Sequence, residues 1–198
     1  YNILQRFIKE IDLMQLMDAE CTVLMETSQG FDLGINSGYS YPYCTSRDVT
    51  TMSILADAQV HSEYLGNVIM SLRAFPIRVG NIYNDGKLIG YSGPFYDDSE
   101  EITWDQLDEL PEKTTVTGRV RRVATFSELQ YIKALKINKP NYIFINFLNY
   151  VKDNNLIKVL TDIRLPDLIG LGPSINQIYK TNNLKSLYNQ VIRENERK

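Results

Sequence analysis

The sequence is poor in the residue types that build metal centres, and it lacks long apolar runs. One of its 198 residues is histidine and two are cysteines, which excludes a zinc site made largely of histidines. Cys21 and Cys44 are far apart and show no metal-ligand spacing, so we expect the reduced thiols of a cytoplasmic protein. No apolar run approaches the ~20 residues that cross a bilayer, and no signal-peptide pattern is present. We therefore expect no membrane contact.

A basic excess is also lacking. The net charge is −3, whereas a nucleic-acid-binding domain is normally basic, so no nucleic-acid polymer is expected as a partner. A local group of arginines aimed at small phosphates remains compatible with this charge. The chain has 43% hydrophobic and 23% charged residues, which is typical of an ordinary soluble protein with a real core.

The apolar pattern predicts strands that alternate with helices. Helical spacing covers residues 3–18, 45–57 and 127–137, a weaker stretch from Asp153, and 184–193. Short apolar runs predict buried strands at 21–25, 68–72, 142–145 and 167–169. Thr45 or Ser46 is the predicted N-cap of the second helix and Ser127 that of the third, whereas residues 81–114 look irregular. We predict an α/β fold with a largely parallel central sheet and flanking helices.

Polar segments follow the predicted strands. They cover residues 26–45, 76–95, 146–149 and 170–173. In parallel sheets the ligand loops lie beyond the carboxyl ends of the strands. The order of strands and polar segments therefore predicts one composite site.

The segment Thr114–Arg122 has paired threonines, a glycine and three arginines within four residues. The planar fork of arginine suits bidentate binding of phosphate and carboxylate, and Gly118 lets the backbone approach a ligand. The threonines and the glycine that precede these arginines favour an anion site. A basic strand edge or a solvated charged face would show the same arginines.

A second candidate segment covers residues 26–51. Gln29 can donate and accept hydrogen bonds at a purine edge, and Thr45 lies at a predicted helix N-terminus, where free amides attract phosphate. The alternative is an ordinary polar loop with a capping threonine.

These residues carry a resemblance to a known family. Successive motifs are similar to those of adenylosuccinate synthetase: Gln29-Gly30 through Tyr41–Ser46, Arg78–Gly80 with Ser92–Phe95, Thr117–Arg122, and Gly172-Pro173. The motifs keep the family's order over about residues 22–178, and the Val-Thr-Gly-Arg form is closer to the archaeal and phage branch. The resemblance implies a fold related to P-loop proteins, and it implies a homodimer.

The resemblance also implies a two-step ligation. The 6-oxygen of IMP is phosphorylated by a nucleoside triphosphate with Mg²⁺, and the amine of L-aspartate then displaces that phosphate. Gln29 and Arg121 would act at the reacting groups, Thr45 would hold the 5′-phosphate, and Val79 would line the ribose pocket. The substrate-binding loop would consist of Thr115, Val116, Thr117, Gly118, Arg119 and Arg121. Within this loop Thr117 and Arg119 would hold the aspartate carboxylates, and Arg121 would reach the phosphates.

The part of the family pattern that binds the donor nucleotide is altered. Phe147, Leu148 and Asn149 stand where the family has Lys-Leu-Asp, which reads the guanine of GTP. An asparagine can pair both ways with adenine, and Phe147 can stack on a base, so the change favours ATP as the donor. GTP stays the alternative, with the alignment shifted by one residue or with Asn146 at the base. Gly170 and Gly172-Pro173 would complete this donor-nucleotide site. A phage-type enzyme that acts on dGMP and makes 2-amino-2′-deoxyadenylosuccinate is the alternative to IMP chemistry.

The family's glycine-rich phosphate loop, with its catalytic aspartate and lysine, and its histidine acid have no counterpart in the sequence. His61 stands in a different context and is interpreted as structural. We therefore expect residues 1–198 to be the C-terminal part of a single domain, with the base, the acid and the Mg²⁺ ligands in an N-terminal part. Alone, this chain is expected to show no ligase turnover. An inactive nucleotide-binding or interaction domain is the alternative from another functional class.

Overall fold

The computed structural model describes residues 12–19, 21–152 and 155–181. The helices within these residues are α1 (Leu13–Asp18), α2 (Thr51–Asp57), α3 (Trp104–Leu107), α4 (Glu128–Asn138) and α5 (Asn155–Ile163). The strands are β1 (Ile69–Arg73), β2 (Ile77–Arg78), β3 (Ile82–Asn84), β4 (Lys87–Gly90), β5 (Glu101–Ile102), β6 (Arg122–Ala124), β7 (Tyr142–Asn146), β8 (Leu168–Gly170) and β9 (Ile178–Lys180). Short 3-10 turns occupy Ser62–Tyr64, Leu148–Tyr150 and Ile175–Gln177.

A four-stranded sheet carries the core, in the order β1-β7-β8-β9. Strands β1, β7 and β8 run parallel, and β9 joins the edge antiparallel. The side chains of Ile143, Ile145 and Ile169 are fully buried, and each contributes about 1.5–3 kcal/mol through removal from water. Tyr131 of α4 and Leu160 of α5 pack against them. This sheet confirms the predicted α/β class and three of the four predicted strands.

The second sheet is antiparallel, with the order β2-β6-β5, and β3 and β4 form a separate hairpin. A small apolar cluster joins this sheet to helix α3 and consists of Val123 of β6 with Trp104 and Leu107 of α3. The prediction of irregular structure over 81–114 is therefore wrong in part. The strands of this region hold two to four residues each, too few for a period of two to be visible in the sequence.

Side chains fix where the helices begin. Ser127 accepts a hydrogen bond from the Gln130 amide, 3.0 Å, which confirms the predicted cap of α4. Helix α2 begins at Thr51, after the capping box of Thr50 and Ser53. The prediction of Thr45 or Ser46 as its cap is wrong, because the segment before Thr50 is held to an upstream loop instead of continuing the helix.

The prediction of a buried strand at 21–25 is also wrong. These residues have no ladder partner within the described parts of the chain, and the side chain of Leu24 is 85% exposed. An apolar run becomes a strand only where another strand takes up its backbone groups. The predicted helix over 3–18 is described only from Leu13, and the predicted helix over 184–193 lies outside the described residues. Among the residues that the structure describes, no helix has the length and hydropathy of a membrane span.

Candidate anion site and donor-nucleotide edge

The Thr–Arg loop (residues 114–121) is a closed turn. Lys113 pairs with Val120 at its base, and the Gly118 amide donates to the carbonyl of Thr114, 3.0 Å. Gly118 has a φ of 64°, which a glycine adopts without the penalty of a side chain. The hydroxyls of Thr114 and Thr117 are 2.6 Å apart. The loop is thus held by its own polar groups, while Thr115, Val116 and Thr117 are exposed.

The three arginines of this segment have different partners. Arg119 donates from Nε to the Thr117 hydroxyl, 3.1 Å, and from Nη1 to the carbonyl of Gly80, 3.4 Å. Arg122 is paired with Glu101. The guanidinium of Arg121 has no hydrogen-bond or ion-pair partner among the described residues. The backbone amide and carbonyl of Arg121 are both hydrogen-bonded. Arg121 is therefore the arginine available to an anion.

A cleft of about 520 Å³ lies beside this loop. Arg119 and Arg121 line it together with Gly80, Tyr83 and Trp104. A Cβ atom at Gly80 would lie 2.2 Å from the carbonyl oxygen of Val120, so only glycine allows this approach of the two segments. Val79, predicted at the ribose, is exposed next to Gly80. Folding thus brings Gly80 and residues 119–121, which belong to two predicted segments, to one cleft.

Two other arginines join the remaining segments. Arg78 donates to the carbonyl of Ser92, 2.8 Å from Nε, and to that of Tyr43, 3.1 Å. Arg122 donates to the Ser92 hydroxyl, 2.9 Å, and to the Gly93 carbonyl, 2.7 Å. Burial lowers the pKa of Arg78, whereas the hydrogen bond to Glu101 raises that of Arg122. We name this group the arginine hub (Arg78, Arg122, Ser92 and Gly93). No pattern in the sequence predicts that these arginines bind backbone carbonyls instead of ligands.

The polar loop of residues 26–48 contains the other predicted substrate contacts. Gln29 is exposed and has a φ of 77°, an uncommon left-handed conformation for a residue with a side chain. The hydroxyl of Thr45 donates to the carbonyl of Leu33, 3.0 Å, so its hydrogen already has a partner. Asp32 is buried, and both of its carboxylate oxygens accept from Lys133 Nζ at 2.7 Å. This ion pair between distant residues was not predicted.

The donor edge (residues 146–150 and 170–173) lies at the carboxyl ends of β7 and β8. The Asn146 side chain approaches Gly170 so closely that a Cβ there would lie 2.2 Å from its Oδ1 atom. Phe147 has a φ of 64°, and its amide donates to Asn146 Oδ1, 2.9 Å. A left-handed aromatic residue costs about 1–2 kcal/mol, and such strain clusters at functional sites. The two predicted donor segments are therefore neighbours.

The side chains of the donor edge differ in accessibility. Leu148 is fully buried in the core, which leaves only its backbone for a bound base. Asn149 is partly buried, and Pro173 is exposed. A Cβ at Gly172 would lie 2.3 Å from the end of the Gln177 side chain, so this side chain packs directly on Gly172.

Among the described residues there is no group of three or more His, Cys, Asp or Glu side chains that could hold a metal ion. His61 is exposed near Glu63, 3.6 Å from its carboxylate, and takes no part in the cleft.

Comparison with known proteins agrees with this arrangement. The sequence model of the adenylosuccinate synthetase family matches residues 2–191. The N6-succino-2-amino-2′-deoxyadenylate synthase of Acinetobacter phage SH-Ab 15497 is 41% identical over 155 residues, which are 78% of this chain and 40% of that protein. The adenylosuccinate synthetase of Pyrococcus horikoshii is 33% identical over 140 residues, 70% of this chain and 37% of that protein.

A solved structure is also similar. The succinoaminodeoxyadenylate synthetase of cyanophage S-2L, bound to dGMP and to dATP as an energy donor, superimposes with a TM-score of 0.74 at 34% identity. The match covers 84% of this chain and 48% of that one. The chain thus spans less than half the length of these relatives. The family match extends over nearly the whole sequence and includes every segment at the cleft and the donor edge, and the chain belongs to the adenylosuccinate synthetase family.

Proposed function

We propose that this chain forms part of a ligase that joins L-aspartate to C6 of a purine nucleotide, with dGMP as the substrate and an adenine nucleotide as the donor. The observation that carries the proposal is Arg121, whose guanidinium lines the cleft without a partner among the described residues. A positive charge at such a place would stabilise the phosphate that is transferred. The phage relatives and the ligands of the cyanophage protein support dGMP and an adenine donor.

In this proposal, the Thr–Arg loop closes over aspartate. Thr117 and Arg119 hold the carboxylates, and their mutual hydrogen bond already places them together. Thr115, Val116 and Gly118 form the exposed rim of the loop. Val79 contacts the ribose, because it adjoins Gly80 at the cleft. A substrate-binding role of this loop agrees with its exposure to solvent and with the hydrogen bonds that hold its residues together.

Gln29 faces the reacting edge of the purine, and its strained backbone supports a functional role. Thr45 lies in the segment that holds the 5′-phosphate. Since its hydroxyl hydrogen is donated to Leu33, the phosphate would be bound by other donors of this segment.

Adenine of the donor contacts Phe147 and Asn149, and Gly170, Gly172 and Pro173 flank it. Asparagine offers a donor and an acceptor, the pair that adenine requires. Residues 1–198 form the C-terminal part of a single domain in a cytoplasmic homodimer, and Mg²⁺ accompanies the donor triphosphate. These last features rest on the family alone.

IMP is the second candidate substrate, because the archaeal adenylosuccinate synthetase is 33% identical to this chain. Equilibrium dialysis with dGMP and with IMP distinguishes the two. Tighter binding of dGMP supports the phage-type reaction, and equal or tighter binding of IMP supports the ordinary one.

Substitution of Arg121 tests the proposal. Arg121→Gln should weaken dATP binding by about 10–100-fold, since a hydrogen bond to a charged group contributes roughly 1.5–3 kcal/mol. Lys136→Gln is the control, because Lys136 is an exposed cation of α4 and does not line the cleft. Unchanged dATP affinity in Arg121→Gln would contradict the assigned role. Ligase turnover by the 198-residue chain alone would contradict the expectation that the base, the acid and the Mg²⁺ ligands lie in an N-terminal part.

The alternative from another class, an inactive nucleotide-binding domain, is tested in the reading frame upstream of Tyr1. A loop similar to Gly-Asp-Glu-Gly-Lys there supports the ligase, and a start codon without such a loop supports the inactive domain.

A further inference from the structure

Arg73 connects the donor edge to the Thr–Arg loop. It is the last residue of β1 and is paired in register with Asn146, so it lies beside the donor edge. Its guanidinium covers the ring of Phe147, with Cζ 3.6 Å from the ring centroid. The same group donates from Nη2 to Glu112 Oε1, 2.5 Å. One planar cation thus contacts a predicted base-stacking residue on one side and a carboxylate on the other.

Glu112 continues the connection through its backbone. Its carbonyl accepts a hydrogen bond from the amide of Arg121, 2.8 Å. The carbonyl of Arg121 in turn accepts from the indole Nε1 of Trp104, 2.7 Å. Both polar groups of the Arg121 backbone are therefore fixed, while its side chain lines the cleft. The position of that side chain depends on Glu112 and Trp104.

The ion pair is shielded enough to hold the two segments together. The side chains of Arg73 and Glu112 are 26% and 25% exposed, in contrast to the Arg47–Asp57 pair at 60% and 56%. Exposed pairs contribute about 0–1 kcal/mol. Arg73 also donates from Nε to the carbonyl of Phe75, 3.3 Å, so its plane is fixed at several points. A lysine could carry the charge but not the stacked plane.

We propose that Arg73 and Glu112 are positioning residues that couple the donor base at Phe147 to the placement of Arg121. The proposal rests on the proposed function. Glu112 acts on the phosphates only through Arg121, and Arg73 orders the ring that the base contacts. Loss of the Glu112 carboxylate should therefore weaken phosphate binding more than binding of the base, because Arg73 keeps its contacts with the Phe75 carbonyl and the Phe147 ring.

The coupling can be measured first without a ligand. Trp104 is the only tryptophan and is 6% exposed, so its fluorescence reports on the backbone of Arg121. Glu112→Gln should increase acrylamide quenching of Trp104 about two-fold or more, while Asp57→Asn, which breaks an exposed pair, should leave it unchanged. Equal quenching in wild type and Glu112→Gln would overturn the coupling, whatever the chain binds.

The second measurement compares dATP with 2′-deoxyadenosine, which has no phosphate, by equilibrium dialysis. Glu112→Gln should bind dATP about ten-fold more weakly and should lose clearly less affinity for 2′-deoxyadenosine. Arg73→Lys should weaken both, because the stacked plane is lost. Retained dATP affinity in Glu112→Gln would overturn the inference, as would an equal loss for both ligands.

A double substitution completes the test. Arg73→Gln combined with Glu112→Gln should lose no more dATP affinity than Arg73→Gln alone, since coupled residues are not additive. Full additivity would refute the coupling. If the wild-type chain bound neither ligand, the proposed function would fail, and the quenching experiment would still decide whether the structural link exists.

Discussion

The four-stranded sheet and the arginine hub are held together by different forces. The sheet is an apolar layer in which Ile143, Ile145 and Ile169 are fully buried. The hub is polar, because Arg78 and Arg122 donate hydrogen bonds to backbone carbonyls of other segments. Burial is proportional to area and has no direction, whereas hydrogen bonds require a defined geometry.

This difference explains how the chain positions ligand-binding loops. The sheet tolerates small shifts of each contact, because its stability is spread over many atoms. The loops depend on single guanidinium groups, each of which joins two or three segments. At Gly93 the fit is close: a Cβ would lie 2.5 Å from the Cβ of Tyr43. The site is therefore ordered by a few specific residues.

The largest effect is expected in the sheet. Ile145→Ala should lower the free energy of unfolding by about 2–5 kcal/mol, because it leaves a cavity in a packed core. Ile69→Ala is the matched control in the neighbouring strand, where the side chain is 57% exposed, and should cost below about 1 kcal/mol. Urea denaturation measures both. Similar losses would show that the sheet is less well packed than described.

The hub should respond to the loss of one arginine. Arg122→Gln should cost about 1.5–3 kcal/mol, since Glu101 and two further acceptors lose a charged donor. The Arg122 side chain is only 11% exposed, so solvent screens this loss little. Arg47→Gln, which removes an exposed arginine, should cost about 0–1 kcal/mol. Thermal unfolding measures the Tm of both variants. Equal decreases in Tm would mean that Arg122 stabilises the fold no more than an arginine of an exposed ion pair does.

The sequence predicted the sheet better than the loops, and the reason is physical. Strands β7 and β8 are short apolar runs with buried side chains, as expected for strands inside a covered sheet, whereas β1 was predicted from its apolar residues although Ile69 is exposed. The cap of α4 was predicted because Ser127 bonds to an amide three residues away. Both features involve residues that are close together in the sequence, so the sequence alone can predict them.

The loops depend on residues far apart in the sequence. Lys133 and Asp32 are 101 positions apart, and Arg78 and Tyr43 are 35. No pattern in the sequence reveals which carbonyl a guanidinium will meet. The helix predicted over 45–57 is present from Thr51 to Asp57, and its predicted start is wrong for the same reason, since Asp48 binds residues of the upstream loop. The family motifs located the candidate site, but they gave no indication of Arg73 or Glu112.

Asp48 should show the smallest effect and tests how the polar loop of residues 26–48 is ordered. Hydrogen bonds from Ser37, and next from Asn36, lower the pKa of Asp48 below its ordinary value of 3.8. A lowered pKa in the folded state means that the stabilisation is complete above 3.8 and disappears as the pH falls through the folded value. Acid should therefore loosen this loop only at a pH below 3.8.

Titration of the Asp48 carboxyl by NMR measures this pKa directly. Ser37→Ala should raise the pKa towards 3.8, because it removes the larger contribution, the hydroxyl bond of 2.7 Å. Asn36→Ala should raise it less, because it removes a single amide bond of 2.8 Å. The reverse order would place the main contact of Asp48 at Asn36. An unchanged pKa in both variants would mean that the loop is held by the backbone bond from Thr45 to Leu33 and not by this carboxylate.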